Sequence, residues 1–289
     1  MQTIKVKAPA KINLTLEVLN KREDGYHNIE SIMQTVTLYD YLTISIEDSE
    51  RSVIEISGNN PLIPYDKTNL AYKSAEKFLN KAGITGKKIS IYIEKHIPVA
   101  AGLAGGSSDA AAVLFGLNKI FNNLLKQEII SGLASEIGAD VNFCLIGGTQ
   151  IATSKGDILK SIDTPHFNMI IVKPKDLFIS AKEAYDKYSK LKSKPSYQPA
   201  EIMVNAIKQN SPESIAQLLH NGLEEAILPD YPKIQKIKET LIEAGCLNAI
   251  MSGSGPSVFG ILPDDRQICI DMDNYDVFFA SSITKGIAV

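Results

Sequence analysis

The stretch Pro98–Asp109 (PVAAGLAGGSSD) sets three glycines and two serines ahead of an apolar run. These residue types suit the holding of an anion. Gly102, Gly105 and Gly106 lack a β-carbon, so the main chain can reach positive φ and approach a ligand closely. The stretch lies between Lys88–Glu94 (KISIYIE), which alternates with the two-residue period of a half-buried strand, and Ala110–Phe121, which has a helical pattern. A strand, a loop of small residues and a helix make an anion site from backbone alone, with free N–H groups and the positive end of the helix facing the ligand. Ser107 and Ser108 can cap that helix or add hydroxyl contacts. A P-loop would need a Lys after the glycines, and a dinucleotide fingerprint would need Gly-x-Gly-x-x-Gly; the order here fits neither. The loop argues for a phosphate-handling enzyme, against the plainer alternative of a tight strand-to-helix turn.

Other clusters could supply the remaining chemistry. In Ala8-Pro-Ala-Lys11-Ile-Asn13-Leu, alternation puts Ile12, Leu14 and Leu16 on one strand face and Lys11, Asn13 and Thr15 on the other. A Lys beside an Asn could bind an anionic or polyhydroxyl substrate; otherwise this is a solvated strand face. In Lys21-Arg-Glu-Asp-Gly25-Tyr-His27-Asn, an exposed loop would offer a stacking ring, Tyr26, and a hydrogen-bonding imidazole, His27, a pair suited to a heteroaromatic base. The alternative is a charged hairpin loop. In Gly138-Ala-Asp140-Val-Asn142-Phe, Asp140 could deprotonate a hydroxyl during phosphoryl transfer, or could be a turn Asp bonded to local backbone. The Ser252-Gly253-Ser-Gly255-Pro256-Ser257 turn could line a cleft or merely join two strands.

The elements that must position these residues can be followed along the chain. Strand patterns cover Thr3–Lys7, Ile12–Leu19, Ser31–Leu38, Leu42–Glu47 and Val53–Ser57, with a turn at Asp24-Gly25. Thr68–Ala82 is expected to be helical, with Thr68 as its cap and Gly83 past its end. Lys126–Ile137 is another helix, stopped by Gly138, and Gly147-Gly148 precedes a strand at Thr149–Thr153. Beyond a boundary placed within Thr153–Asp163 come a strand at Asn168–Val172 and helices at Ala181–Leu191, Ala200–Gln209, Pro212–Ala226 and Pro232–Ala244. Lys190–Pro199 is expected to be an exposed connector. Strands at Ala249–Met251 and Ser257–Leu262 flank the Ser252–Pro256 turn, and further strands are expected at Ile268–Met272, Asp276–Ala280 and Ile283–Val289. Strands and helices mixed without regular alternation favour an α+β class in two domains, 1–158 and 159–289.

Composition narrows the function. Of 289 residues, 44% are hydrophobic and 22% charged, as in a globular enzyme. The formal net charge of −3, without a long basic run, argues against a nucleic-acid partner. No apolar stretch has the length of a membrane span, and the N-terminus has no apolar signal core. Cys144, Cys246 and Cys269 suggest buried thiols in a reducing cytoplasm, and no His/Cys spacing suggests a protein-held metal.

Taken together, the clusters resemble the GHMP kinases (galactokinase, homoserine kinase, mevalonate kinase and phosphomevalonate kinase). The three family motifs look like Pro9–Leu16, Pro98–Ala111 and Ser252–Phe259, in the expected order. Ala10–Ser31, Pro98–Ala111 and Ile137–Phe143 narrow the resemblance to the branch acting on 4-diphosphocytidyl-2-C-methyl-D-erythritol, whose specific sign is the Lys-Arg-x-Asp-Gly-Tyr-His segment. The likeness is dense to about Gly148 and again at Ser252–Gly260, and loose between. The loop departs from the most glycine-rich versions at Ala100, Ala101 and Ala104, which are small enough for phosphate binding to survive. The resemblance implies a ribosomal protein S5 domain 2-like first domain, an α/β sandwich second domain and an active site in the cleft between them. It implies transfer of the γ-phosphoryl of ATP to a 2-hydroxyl, with Asp140 as base and Lys11 as its cationic partner. It assigns ATP to Pro98, Val99, Ala100, Ala101, Gly102, Leu103, Ala104, Gly105, Gly106, Ser107 and Ser108, and adenosine to Asn69. Asn13 would meet the erythritol end, Tyr26 and His27 the cytidine, and Tyr185 would be a second stacking ring. Mg²⁺ would arrive with ATP. The expected partner is a small molecule bearing a cytidine diphosphate group, bound by a cytoplasmic monomer or weak homodimer. A GHMP kinase for another small alcohol, or a non-catalytic protein on that scaffold, are the alternatives.

Overall fold

One long hairpin organises the chain. β1 (Gln2–Lys21) and β2 (His27–Asp48) pair antiparallel around the Asp24-Gly25 turn. The shorter strands expected from alternation fuse into these two. Pro9 sits at a register shift between Pro9 and Ala10, the kind of position at which a residue without an N–H is tolerated in a sheet. The computed structural model describes residues 1–193, 197–263, 268 and 273–289.

After the hairpin come β3 (Val53–Gly58), α1 (Leu70–Ala82), β4 (Lys87–Glu94), α2 (Gly105–Ile120), α3 (Gln127–Ile137), α4 (Ala139–Ile146), β5 (Thr149–Ser154), β6 (Ile158–Ile162) and β7 (Asn168–Pro174). They are followed by α5 (Ala181–Ser189), α6 (Ala200–Gln209), α7 (Pro212–Gln217), β8 (His220–Asn221), α8 (Glu224–Ile227), α9 (Pro232–Glu243), β9 (Asn248–Met251), β10 (Val258–Ile261) and β11 (Tyr275–Ser281). Among the described residues these form two sheets. The seven-stranded one runs β3-β4-β2-β1-β8, with β5 on β2 and β6 on β5; the four-stranded one runs β11-β7-β10-β9. The class is α+β.

The two faces of β1 explain why the hairpin is central. Val6 and Ala8 enter one apolar core with α1 and α2, Ala10, Ile12 and Leu14 a second, and Leu16 and Val18 a third. The opposite face carries Lys11, Asn13, Thr15 and Glu17, and these are buried too. Sequence alternation alone would leave that face in solvent. α2 is apolar nearly all round because it packs against α1, α4 and β1 at once.

Several expectations are corrected by tertiary contacts. The helix expected over Pro212–Ala226 ends at Gln217, because His220 and Asn221 pair in parallel with Thr15 and Leu16. The larger sheet continues past residue 158 through β6, and takes β8 from the second half of the chain. The C-terminal segment forms only isolated bridges, Lys7 with Ala288 and Val36 with Ser282, in place of the strand expected at Ile283–Val289. Asn69, not Thr68, caps α1: its side chain accepts from the Ala71 N–H. In the Lys190–Pro199 connector, the Gln198 N–H donates to Glu17 Oε1 at 2.9 Å, so its far end is docked against β1; residues 194–196 lie outside the described residues, as do Cys269 and most of the strand expected at Ile268–Met272.

Candidate active site

The glycine loop connects β4 to α2. The helix begins at Gly105, five residues earlier than its apolar pattern indicates, so Gly105, Gly106, Ser107 and Ser108 form its first turn. The cap is Ala104, at φ 57, and no side chain satisfies the first N–H groups. That leaves backbone donors and the positive helix end available to an anion. Ala100, at φ 49, is also left-handed. An alanine there costs about 1–2 kcal/mol, a strain of the kind that clusters at ligand-binding loops.

A cavity of about 360 Å³ opens on this loop. Of the residues expected at ATP, Asn69, Pro98–Gly102 and Ala104–Ser107 line it. Leu103 and Ser108 do not. Leu103 is buried in the second apolar core, and the Ser108 hydroxyl donates to the Pro9 carbonyl at 2.7 Å. Ser108 therefore fastens the helix to β1, and neither serine caps it.

Among the lining residues that escaped the sequence reading, Lys95 and Asp109 are the charged ones. The buried Lys95 ammonium lies between Asp109, at 2.7 Å, and Asp40. Asp40 also accepts from the His96 and Ile97 N–H groups, at 2.6 and 2.8 Å. Burial pushes Asp109 up to about 7, against the pull of Lys95 and with some support from Asp40. Asp109 stood inside the glycine motif and Lys95 just before it. Only the fold brings Asp40 to them.

β1 presents the other half of the site. Lys11 is 5% exposed. Its ammonium donates to Asn13 Oδ1 at 2.6 Å, Asn13 Nδ2 donates to Ser31 Oγ at 2.8 Å, and Ser31 Oγ donates to the Thr15 carbonyl at 2.6 Å. The Lys11 N–H donates to the Leu103 carbonyl at 3.1 Å, so this strand and the glycine loop are joined directly. Asp140 lies in the first turn of α4, not in a free turn. Its charge and that of Lys11 act with opposite sign on the buried thiol of Cys144, which burial pushes up, Asp140 further raises and Lys11 opposes. Asp140 likewise adds to the upward push that burial gives the Tyr185 hydroxyl. The charges of Lys11, on β1, and Asp140, on α4, are thus both felt at Cys144, and that of Asp140 also at Tyr185 on α5.

The Tyr26-His27 pair is split by the structure. Tyr26 is 60% exposed, with the Lys155 ammonium 5.8 Å from its ring centre. His27 is 7% exposed. It stacks on Tyr185 at 5.4 Å, meets the edge of Tyr188 at 6.2 Å, and places Nε2 2.9 Å from Ser189 Oγ. The exposed loop expected to carry both rings therefore carries only Tyr26. α5 brings Tyr185 to His27 across 158 residues of sequence.

The Ser252–Pro256 turn closes the site between β9 and β10. Ser252 Oγ donates to the Gly102 carbonyl at 3.1 Å. A β-carbon on Gly253, at φ +55, would lie 3.2 Å from Lys11 Nζ and 3.4 Å from Asn13 Oδ1. All three sequence motifs therefore touch.

Comparison with known proteins agrees with this geometry. Residues 69–148 match the GHMP kinases N terminal domain, and residues 203–269 match GHMP kinases C terminal. The 4-diphosphocytidyl-2-C-methyl-D-erythritol kinase of Clostridium kluyveri is 46% identical, over 92% of this chain and 94% of that protein. The chain belongs to the 4-diphosphocytidyl-2-C-methyl-D-erythritol kinases. A crystal structure of 4-(cytidine 5'-diphospho)-2C-methyl-D-erythritol kinase superposes with a TM-score of 0.77 at 28% identity, covering 96% of this chain and 99% of that one. The homoserine kinase of Cytophaga hutchinsonii reaches a TM-score of 0.76 at 20% identity, over 100% of this chain and 97% of that one. The second likeness concerns fold alone. The two scores barely differ, so the scaffold does not distinguish these kinases from relatives with other acceptors; their side chains must.

Proposed function

We infer that this kinase transfers the γ-phosphoryl of ATP to the 2-hydroxyl of 4-diphosphocytidyl-2-C-methyl-D-erythritol, a step in making isoprenoid precursors by the non-mevalonate route. The observation that carries the reading is the bond from the Lys11 N–H to the Leu103 carbonyl, which sets a cation-bearing strand against a loop opening on a cavity of about 360 Å³. Phosphoryl transfer asks the protein mainly for positioning and for neutralising charge. The uncapped first turn of α2 and the backbone of Pro98–Gly102 and Ala104–Ser107 hold the triphosphate, and Asn69, on the same cavity wall, meets the adenosine. Mg²⁺ would arrive with ATP, with phosphate oxygens and water as its main ligands, and would neutralise phosphate charge.

Asp140 accepts the proton of the attacking hydroxyl, and Lys11 steadies the charge that develops on that oxygen. Asn13, fixed by Lys11 and Ser31, faces the erythritol end. Tyr26 offers an exposed ring to cytosine, His27 its hydrogen bonds, and Tyr185, stacked on His27, a second ring. What supports this group is the stacking of His27 on Tyr185 and the field of Asp140 at Tyr185. The active site is the cleft between an N-terminal unit, 1–158, and a C-terminal unit, 159–289, with β6 and β8 crossing that division. Cys144 and Cys246 are buried free thiols, as suits the reducing cytoplasm.

The test is ADP release measured across a panel of small alcohols. Turnover with the diphosphocytidyl alcohol, and none with homoserine or mevalonate, is expected. Turnover with either of the latter alone refutes the substrate assignment.

A further inference from the structure

We propose that Asn221 is a positioning residue for phosphoryl transfer, clamping the Ser252–Pro256 turn against Lys11, Asn13 and the glycine loop. The inference rests on the reading of Lys11 and Asn13 as the acceptor end of the site.

Asn221 is buried on β8. Its Nδ2 donates to two carbonyls of the turn region, Met251 at 2.7 Å and Gly253 at 2.8 Å, and its Oδ1 accepts from the Leu223 N–H at 3.0 Å. Three of the four bonds an amide can make are therefore spent on backbone. β8 is itself held to β1, through pairing of Asn221 with Leu16 and a bond from the Gly222 N–H to the Leu16 carbonyl at 2.8 Å. One short strand thus ties the chain carrying Lys11 and Asn13 to the turn that abuts them.

The turn has little room to move without disturbing its neighbours. A β-carbon at Gly253 would sit 3.1 Å from the Gly102 carbonyl oxygen as well as beside Lys11 Nζ and Asn13 Oδ1. Both donor hydrogens of Asn221 are needed because two carbonyls converge on one point. A carboxylate of the same shape would face those carbonyls with acceptors alone and would push the turn off them. Displacement toward Gly253's neighbours moves the acceptor end. Of those neighbours only Gly102 also lines the nucleotide cavity, whose other walls, from residues between Ile63 and Asp109, are not among them, so nucleotide binding is disturbed far less than the acceptor end.

The experiment compares Asn221→Asp with wild type, using ATP, the diphosphocytidyl alcohol and a non-hydrolysable ATP analogue. Analogue titration supplies both affinity and the number of binding-competent molecules, so kcat is expressed per competent site. A misplacement near 1 Å costs about 10²-fold in rate. The expected result is that kcat per site falls by about that factor, while analogue affinity stays within about threefold of wild type. Gly253→Ala, which presses the turn from its other side with Asn221 intact, should show the same split; if Asn221→Asp does not fold, Asn221→Ser, which removes one of the two donor hydrogens without adding a charge, is measured in its place and should show that split too. An unchanged kcat per site, as a merely structural role would give, overturns the proposal, as does a matching loss of analogue affinity. Wild-type enzyme that binds the analogue but does not turn over the diphosphocytidyl alcohol overturns the kinase reading and this inference with it.

Discussion

Replacing Gly102 with alanine should disconnect the nucleotide loop from the rest of the site. The new β-carbon would lie 2.0 Å from the Ser252 carbonyl oxygen, 3.0 Å from its carbon and 3.1 Å from the Gly255 nitrogen. These are backbone atoms and cannot swing aside, so the two loops must part by roughly 1.4 Å to restore ordinary contact. The Ser252 Oγ bond to the Gly102 carbonyl, now 3.1 Å, stretches with them. Gly102 also sits at φ +72, where a β-carbon costs about 1–2 kcal/mol, and overpacking adds about 1–3 kcal/mol. For a chain of this size that corresponds to a melting temperature lowered by roughly 3–8 °C. Misalignment on this scale should lower kcat/KM by about 10²-fold. The control is Gly83→Ala, at φ +66 with nothing within 4 Å of the added carbon, which carries the backbone strain without the collision. It should melt slightly lower and turn over normally. The assays are coupled ADP release and a thermal melt of each variant. If Gly102→Ala keeps kcat/KM within about threefold of wild type, the interlock of the two loops has no part in catalysis and the reasoning fails.

Other perturbations probe separate parts of the site. Asp140→Asn should lower turnover by about 10²–10⁴-fold with the melt unchanged; near-normal turnover by the folded variant would remove Asp140 as the base. Tyr26→Ala with His27→Ala should weaken binding of the diphosphocytidyl alcohol at least about tenfold, since a base stacked on an aromatic ring is worth about 1–3 kcal/mol, while ATP affinity holds. Within that pair only His27→Ala should lower the melting temperature, because Tyr26 is exposed and His27 is packed on Tyr185; calorimetric titration showing normal binding by the double variant contradicts the cytidine assignment. Asp109 is raised in the folded state to about 7, from an ordinary 3.8. The folded protein then holds this proton more tightly than the unfolded chain, and Asp109 withdraws stability as pH rises through the window between those values. Asp109→Asn should flatten the pH dependence of denaturant stability across that window, and an unaltered slope would show that Asp109 is ionised throughout.

Much of the site was legible in sequence because its parts are local. Glycines before a helix report what a backbone can do within a few residues, and the two-residue period of Ala10–Leu16 places Lys11 and Asn13 on one face wherever the strand lies. The loop, Lys11, Asn13 and the turn at Ser252–Pro256 follow from such patterns. Periodicity does not say what covers a face. The Lys11–Asn13 face is buried because the Ser252–Pro256 turn and the glycine loop meet over it, and His27 leaves solvent because α5 delivers Tyr185 and Tyr188 to it. The buried Lys95 ion pairs depend on Asp40, 55 residues away, and nothing in either local sequence marks the partner. The helical pattern over Pro212–Ala226 is interrupted because edge pairing with β1, closed by the Asn221 clamp, outweighs local propensity. Local chemistry was written in residue types and spacing; burial, partnership and register depended on contacts between distant segments, which exist only once the chain has packed.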